Sequence, residues 1–526
     1  MKEKLFKNGI FHSMKEEGDT FSFMTVRGKK ISGTYNVRPE GSFEEIDLGG
    51  RHVYPCLIDG HVHMLFTIGV MAMGFDICSV TKDGIKPDNL KDIEGKIRSY
   101  CKDKHKDAVI AAHNYISSAI DEKRLPTREE LDLWSENRAV IVYTIDGHST
   151  SASSKMLLKL GICPENHSGI LTGEENERNQ GKLTDIISSS IGLKALSKGI
   201  AEFHNTCASY GIGMVGALEG NGDSKGDVST SLILFLARRF DLPIRFYLQY
   251  TDLNRVKRFE KYLKHKRLGG CGDWEMDGSA GSHSAAFSLA YKDSGEIKPC
   301  YYDEEAVRGM VKRANSEGYQ VASHAIGDKA IDMIMSVMNE NKSGIINRIE
   351  HIEFISPDAI EKLNGEKYAV FMQPGYGWID KRYLNTYSMY LPDEITDNMK
   401  LKSIADKGVL ICLSTDSPVQ SMDPYLQMLG MTQYYNESES MSIYDALKAY
   451  TVNPAAAMYE SDERGTLEMG KAADFFISSE DLLSLSGQEI ASYRPECTYY
   501  GGIKYKEKSG SIFELLKMIL KHPKKV

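Results

Sequence analysis

A chain of 526 residues with 41% apolar content is long enough for one large domain with attachments, or for two to four ordinary domains, and can fill a sizeable core. Its net charge of -9, with lysines and arginines scattered rather than gathered in a basic stripe with interleaved aromatics, excludes the electrostatic footprint of a nucleic-acid binder. Nine cysteines, odd in number, widely spread and never spaced Cys-x-x-Cys, argue against a disulfide framework and against a thiolate zinc site, so a reducing cytoplasm is the expected home.

Met1 to Thr20 is charged and lacks an apolar segment of signal-peptide length. No apolar run approaches the roughly 20 residues of a membrane helix. Residues 1 to about 54 read as short strands broken by turn glycines and Asn-Gly at hairpin-like intervals, a β module too small to hold a site alone. From Cys56 the pattern changes to apolar strands separated by helical stretches, the alternation of a parallel sheet. Eight strands are predicted: Leu57 to His63, Gly213 to Leu218, Ile244 to Gln249, Trp274 to Asp277, Gln320 to His324, Arg348 to His351, Ala369 to Met372 and Val409 to Asp416. Helices are predicted between them, among them Asp303 to Gly318 and Asp328 to Asn339, each beginning at an N-cap type residue. The interval from about 74 to 205 is too long for one crossover and reads as an inserted subdomain, with helices at Asp88 to Lys104, Thr127 to Glu136 and Thr184 to Tyr210. After a helix over Ser442 to Tyr459 the chain returns to β character from about 465, with Ala473 to Ile477 the clearest strand. The expected architecture is α/β: a (β/α)8 TIM barrel, a small β-sandwich from both termini, and an insertion after strand 1. Its divisions are 1–55 plus 462–510 for the sandwich, 56–461 for the barrel with its insertion, and 511–526 for a C-terminal helix, expected to dock on the body or a partner, and a solvated basic tail.

The residues that carry chemistry fall at strand ends, where barrels of this type place catalytic groups. His61 and His63 stand two apart on the first strand, so both imidazoles share a face, with Asp59 expected on the same side. Two imidazoles bind a divalent ion weakly and need partners. His324 ends the fifth strand, His351 the sixth and Asp416 the eighth. Four neutral imidazoles and a carboxylate suit zinc, with iron or manganese as alternatives, and leave room for water. Such an ion lowers the pKa of its water from about 15.7 toward about 7. Asp416 can then take the proton and return it to a leaving nitrogen, so the expected reaction is hydrolysis of a C–N bond.

Pro55 to His63, Asp146-Gly147-His148, Met276 to Ser282, Ser323 to Asp328, Arg348 to His351, Ser414 to Val419 and Gly465 to Phe475 resemble, in order, the amidohydrolase superfamily, specifically its YtcJ-like branch, amidohydrolase family 3. The resemblance runs over nearly the whole chain. It implies a metal-dependent hydrolase of a small molecule, a barrel carrying a β-sandwich, and metal ligation by His61, His63, His324 and His351 with Asp416 as both ligand and catalytic base. Many relatives place a bridging, carboxylated lysine a few residues before the Asp-Gly pair, whereas this chain reads Gly272-Asp273-Trp274-Glu275-Met276-Asp277-Gly278. Glu275 is the expected bridge, Asp273 its substitute, and one ion the outcome if neither reaches. Asp146, His148, Asp277, His283 and Trp378 are the expected substrate-binding positions. The leading reading is hydrolysis of an N-acyl, N-formyl or cyclic amide. Deamination of a heterocycle at a single ion, or a retired barrel acting as a binding protein, are the alternatives. Barrels of this kind often pair, so a homodimer is one open assembly, and the sequence leaves the oligomeric state unresolved.

Overall fold

The computed structural model describes residues 2–73, 75–81, 84–145, 147–220 and 227–526. Eight parallel strands follow one another in chain order: β1 (Leu57–Val62), β2 (Ile212–Glu219), β3 (Ile244–Leu248), β4 (Arg267–Gly269), β5 (Gln320–Ala325), β6 (Asn347–His351), β7 (Tyr368–Met372) and β8 (Ile411–Leu413). Each is hydrogen-bonded to the next, from β1 through β8. The circle closes where the chain leaving β8 meets β1: Asp416 N–H donates to His61 O at 2.9 Å and His63 N–H to Ser417 O at 2.8 Å. The sheet is therefore a barrel, and it is the first and last strands that carry this closure.

Alternate residues along the strands divide between two cores. Leu57, Val215, Phe246, Val321, Ile349 and Val370 pack with the surrounding helices. Ile58, Met214, Tyr247, Ala322, Phe371 and Cys412 form the inner cluster. The interior is tight: a Cβ at Gly60 would sit 2.1 Å from the Phe371 ring, which explains a glycine there. Helices Glu304–Ser316 and Asp328–Asn339 match the predicted spans, the first capped by Asp303, whose side chain accepts from Ala306 N–H.

The fourth strand differs from the expectation. Trp274 to Asp277 is not the barrel strand; β4 lies earlier, at Arg267–Gly269, followed by a 3-10 turn at Gly272–Trp274 and a single parallel bridge from Glu275 to His324. Gly270 has φ +105°, and a Cβ there would meet the Leu218 side chain at 1.8 Å. A strand this short, ending in glycines that turn inward, leaves no alternating pattern to read.

Both termini build one eight-stranded sheet, in which Phe475–Ser478 runs antiparallel to the long strand Glu44–Pro55 that leads directly into β1. The sheet curls until Lys30, on its edge strand Lys30–Tyr35, bridges Ala472, so the two layers expected of a sandwich are one folded sheet around Phe6, Phe11, Met24, Val53 and Phe475. Between β1 and β2 the insertion forms its own four-stranded sheet, Val109–Tyr115, Ala139–Thr144, Ser149–Ala152 and Ile170–Thr172, flanked by helices Leu90–Cys101 and Arg128–Trp134. The helix expected from Thr184 to Tyr210 is two, Gly173–Ser190 and Leu193–Ser209, separated at Ile191-Gly192. The C-terminal helix Ile512–Ile519 docks on the body through Leu515. The basic tail is not a free solvated end: Val526 is buried and its N–H donates to Tyr262 O at 3.0 Å. Among the described residues no helix is long and apolar enough to cross a membrane.

Candidate active site

The strand ends gather around one point. His61 and His63 direct their Nε2 atoms toward Asp416 Oδ1, at 3.1 and 3.2 Å, and their rings lie 5.5 Å apart. The His351 ring is 5.0 Å from that of His61 and 4.6 Å from that of His324. His61, His351 and Asp416 offer donor atoms within 4.8 Å of one another. Residues far apart in sequence on β1, β5, β6 and after β8 therefore converge, with His324 Nε2 also 3.2 Å from the Gly278 carbonyl.

Asp59 does not join them. The register of β1 against β2 shifts between Asp59 and Val62, two residues opposing one, and this bulge breaks the alternation that would put Asp59 beside the histidines. Its carboxylate instead accepts from Thr415 N–H at 3.0 Å and Thr415 Oγ1 at 2.5 Å, tying β1 to the chain after β8.

Each imidazole is oriented from behind. His61 Nδ1 lies 2.6 Å from Glu350 Oε2, and Glu350 in turn receives the Arg348 guanidinium at 2.8 and 2.7 Å. Arg348 also donates to Gly60 O at 3.0 Å and stacks 3.4 Å from the Phe371 ring centroid. His351 Nδ1 lies 2.7 Å from Gln373 Oε1, whose amide donates to Ser414 Oγ at 2.8 Å. Such partners fix ring orientation and tautomer, as a metal ligand requires. Glu350 stands in sequence immediately before His351, in Arg-Ile-Glu-His; an acid beside a candidate ligand, in a strand buried along its whole length, is the signal that could have found it. Nothing in the local sequence marks Gln373.

The electrostatics point to a cation. Burial, then the neighbouring imidazoles, pushes His324 well below the ordinary histidine range, and burial brings His351 down to about 4, so both stand neutral with a lone pair to give. Burial disfavours charge on Asp416 and on His61, yet each holds the other charged: Asp416 falls well below the carboxylate range and His61 rises well above its own. His351 Nε2 and Asp416 Oδ1 are buried and lack a hydrogen-bond partner among the described residues. Buried polar atoms rarely go unsatisfied, and two that face the same point beside two further imidazoles fit a divalent ion. The backbone carries strain at the same place, with His351 at φ +69° and Asp416 at φ +58°.

These groups open into a cavity of about 520 Å³ lined by His63, His148, Cys271, Glu275, His324, His351, Tyr376 and Asp416 together with residues of the insertion. Tyr376 OH donates toward Asp416 Oδ2 at 3.4 Å. Of the further carboxyls on its wall, Glu219 is pushed up to about 8 by burial and Glu353 up to about 7 by burial. Of the expected substrate positions, His148 lies on the wall with its ring 5.3 Å from His324. Asp146 lies outside the described residues. Asp277, His283 and Trp378 are not among the described residues lining the cavity. Asp277 is fully buried and accepts backbone N–H bonds from Ala286, Ile326 and Gly327 at 2.8, 2.9 and 2.8 Å, which sets the turn that follows His324. His283 pairs with Asp293 at 2.8 Å, and Trp378 packs 6.1 Å from the Tyr383 ring. Glu275 is on the cavity wall, its Oε1 accepting from Gly272 N–H at 2.9 Å, whereas the compact donor groups at this point contain Cys271 and not Glu275 or Asp273.

A closed parallel barrel whose strand ends converge imidazoles and an aspartate on one cavity defines a hydrolase of the metal-dependent barrel class. Residues 44–503 match the amidohydrolase family, and the chain belongs to that family. It is an enzyme, a metal-dependent hydrolase acting on C–N bonds. It is 24% identical to YtcJ of Bacillus subtilis over 96% of this chain and 99% of that one. It is 23% identical to the N-substituted formamide deformylase of Arthrobacter pascens over 89% of this chain and 91% of the other. Among solved structures, an uncharacterized metal-dependent hydrolase from Pyrococcus furiosus has the same fold, with a TM-score of 0.68 at 23% identity over 92% of this chain and 100% of that chain.

Proposed function

We propose that the enzyme hydrolyses the amide of a small N-acyl, N-formyl or cyclic amide compound, with His61, His63, His324, His351 and Asp416 holding a divalent ion, zinc before iron or manganese. The observation that carries this reading is the Asp416 carboxylate, set 3.1 and 3.2 Å from two imidazole nitrogens with Oδ1 left without a hydrogen bond. A divalent ion held there supplies Lewis acidity toward a water molecule and toward the substrate carbonyl. Asp416 takes the proton of the attacking water and delivers it to the leaving nitrogen, while Tyr376, whose hydroxyl reaches Oδ2, holds the carboxylate in position. His148 on the cavity wall contacts the substrate from the insertion side, and the low polarity of the buried floor strengthens each of these interactions. The name of the Arthrobacter relative, a deformylase of N-substituted formamides, supports the N-formyl end of the range. Nine free cysteines support a reducing, cytoplasmic home.

The test is Asp416→Asn. Its turnover of an N-acyl, N-formyl and cyclic amide panel should fall at least about a thousand-fold with metal content retained, loss of a general base alone being worth about 10²–10⁴. Undiminished activity in the variant, or in metal-free protein, would refute the reading. Ammonia as the product, instead of an amine and a carboxylate, would point to deamination.

A further inference from the structure

We propose that the thiolate of Cys271 is a ligand bridging two divalent ions, the role that sequence reasoning gave to Glu275. The inference rests on the metal-dependent reading above and deepens it by naming the donor from the fourth strand and the number of ions.

Three donor triads meet in this site, and two of them share the side chain of Cys271. His61, His63 and Cys271 form the first; Cys271, His324 and His351 form the second; within each, the donor atoms all lie within 4.8 Å of one another. Zinc–sulfur bonds of about 2.3 Å and zinc–nitrogen bonds of about 2.1 Å set donors on one tetrahedral ion about 3.5 Å apart, so each triad closes on an ion when its donors draw inward by about 1 Å. Cys271 Sγ already lies 3.7 Å from His61 Nε2. Six candidate side chains exceed what one zinc ion takes, but they divide over two ions about 3.5–4 Å apart with the shared sulfur between them. A second observation points the same way. His351 Nε2, in the triad that contains Cys271 and on a residue only 5% exposed, has no hydrogen-bond partner among the described residues.

The fold explains why the donor is a cysteine at this position. Cys271 follows the short strand β4 and precedes the turn at Gly272–Trp274, in extended backbone at φ -141° and ψ -162°, so its side chain reaches the floor of the cavity. Glu275 comes four residues later, after that turn, and spends Oε1 on the Gly272 N–H that closes it. A thiol coordinating a divalent ion loses its proton on binding, so loading the site releases one proton from Cys271 and converts SH to a bridging thiolate without any change of oxidation state. Thiolate donation favours zinc and cobalt over manganese and magnesium.

The experiment loads the full chain with zinc and, separately, with cobalt(II). The wild-type protein should hold two equivalents, show a zinc–sulfur shell near about 2.3 Å by X-ray absorption, and show thiolate-to-cobalt charge-transfer absorption in the near ultraviolet. Cys271→Ser should lose that absorption and drop to one equivalent or fewer with an unchanged circular dichroism spectrum, while Glu275→Gln keeps both. Two bound equivalents without sulfur scattering or charge-transfer absorption, or a Cys271→Ser protein that retains both equivalents, would overturn the bridge and leave the metal-dependent reading standing. A wild-type protein that binds no transition metal would overturn both. The wild-type spectra decide the matter even if the serine variant fails to fold.

Discussion

His351 shows how much of this site is built behind the residues that a sequence displays. Its Nδ1 is held by Gln373, which is itself held by Ser414, so the orientation of Nε2 depends on a side chain just after β7 and another after β8. Gln373→Leu removes the acceptor while keeping the apolar bulk. The variant should bind zinc about 10–100-fold more weakly, measured by competition against a chromogenic chelator, with a melting temperature that stays close to wild type in the metal-free protein. Equal affinity would mean that packing alone orients the ring. The histidines and Asp416 were legible because each stands at the end of a candidate barrel strand, where catalytic side chains gather. Glu350 carries only the weaker mark of an acid beside a candidate ligand, and Gln373 carries none, because their contacts join strands that sequence order keeps apart. Cysteine spacing says nothing of Cys271 for a related reason: spacing rules for thiolate sites count neighbouring cysteines, and the histidines within reach of this one come from three other strands.

At the scale of elements, the strands with clean alternation were placed well and the irregular ones were not. β4 is three residues long and ends in glycines, so the expected strand fell on Trp274 to Asp277, one turn downstream. The insertion offers a different test, since its strand Val109–Tyr115 buries His113 between the rings of Phe66 and Tyr143, at 4.9 and 5.3 Å. Burial pushes this imidazole down to about 3. In the unfolded chain it protonates near about 6.5, so the unfolded state binds the extra proton first. Stability is therefore complete above that pH and is lost as the pH falls toward 3, by about 2 kcal/mol at pH 5. His113→Phe should flatten this part of the profile: between pH 7 and pH 5 its melting temperature should fall less than that of the wild type. Parallel profiles would show that His113 finds a partner in the folded protein.

For the whole molecule, metal binding and folding should be linked. The proposed ligands come from β1, β5, β6 and the segment after β8, so an ion that held them together would also hold the barrel closed where β1 meets the end of β8. Ligand that binds only the folded state stabilises it, by about 4 kcal/mol at a thousand-fold excess over Kd. Stripping the protein with a chelator should abolish activity and lower the melting temperature by several degrees, and zinc should restore both, as read by differential scanning fluorimetry and an amide-hydrolysis assay. A melting temperature indifferent to metal would place the ion outside the closing strands.

Periodicity and residue type alone determined the alternation of strands and helices, the split β module at the two ends, and the four histidines with Asp416, because these are local patterns repeated along the chain. Tertiary structure decided everything that depends on which strands become neighbours: the bulge that sends Asp59 to Thr415, the buried partners behind each imidazole, and the arrival of Cys271 between two histidine pairs. Side chains hundreds of positions apart share one cavity only after the barrel has closed, and no local pattern carries that distance.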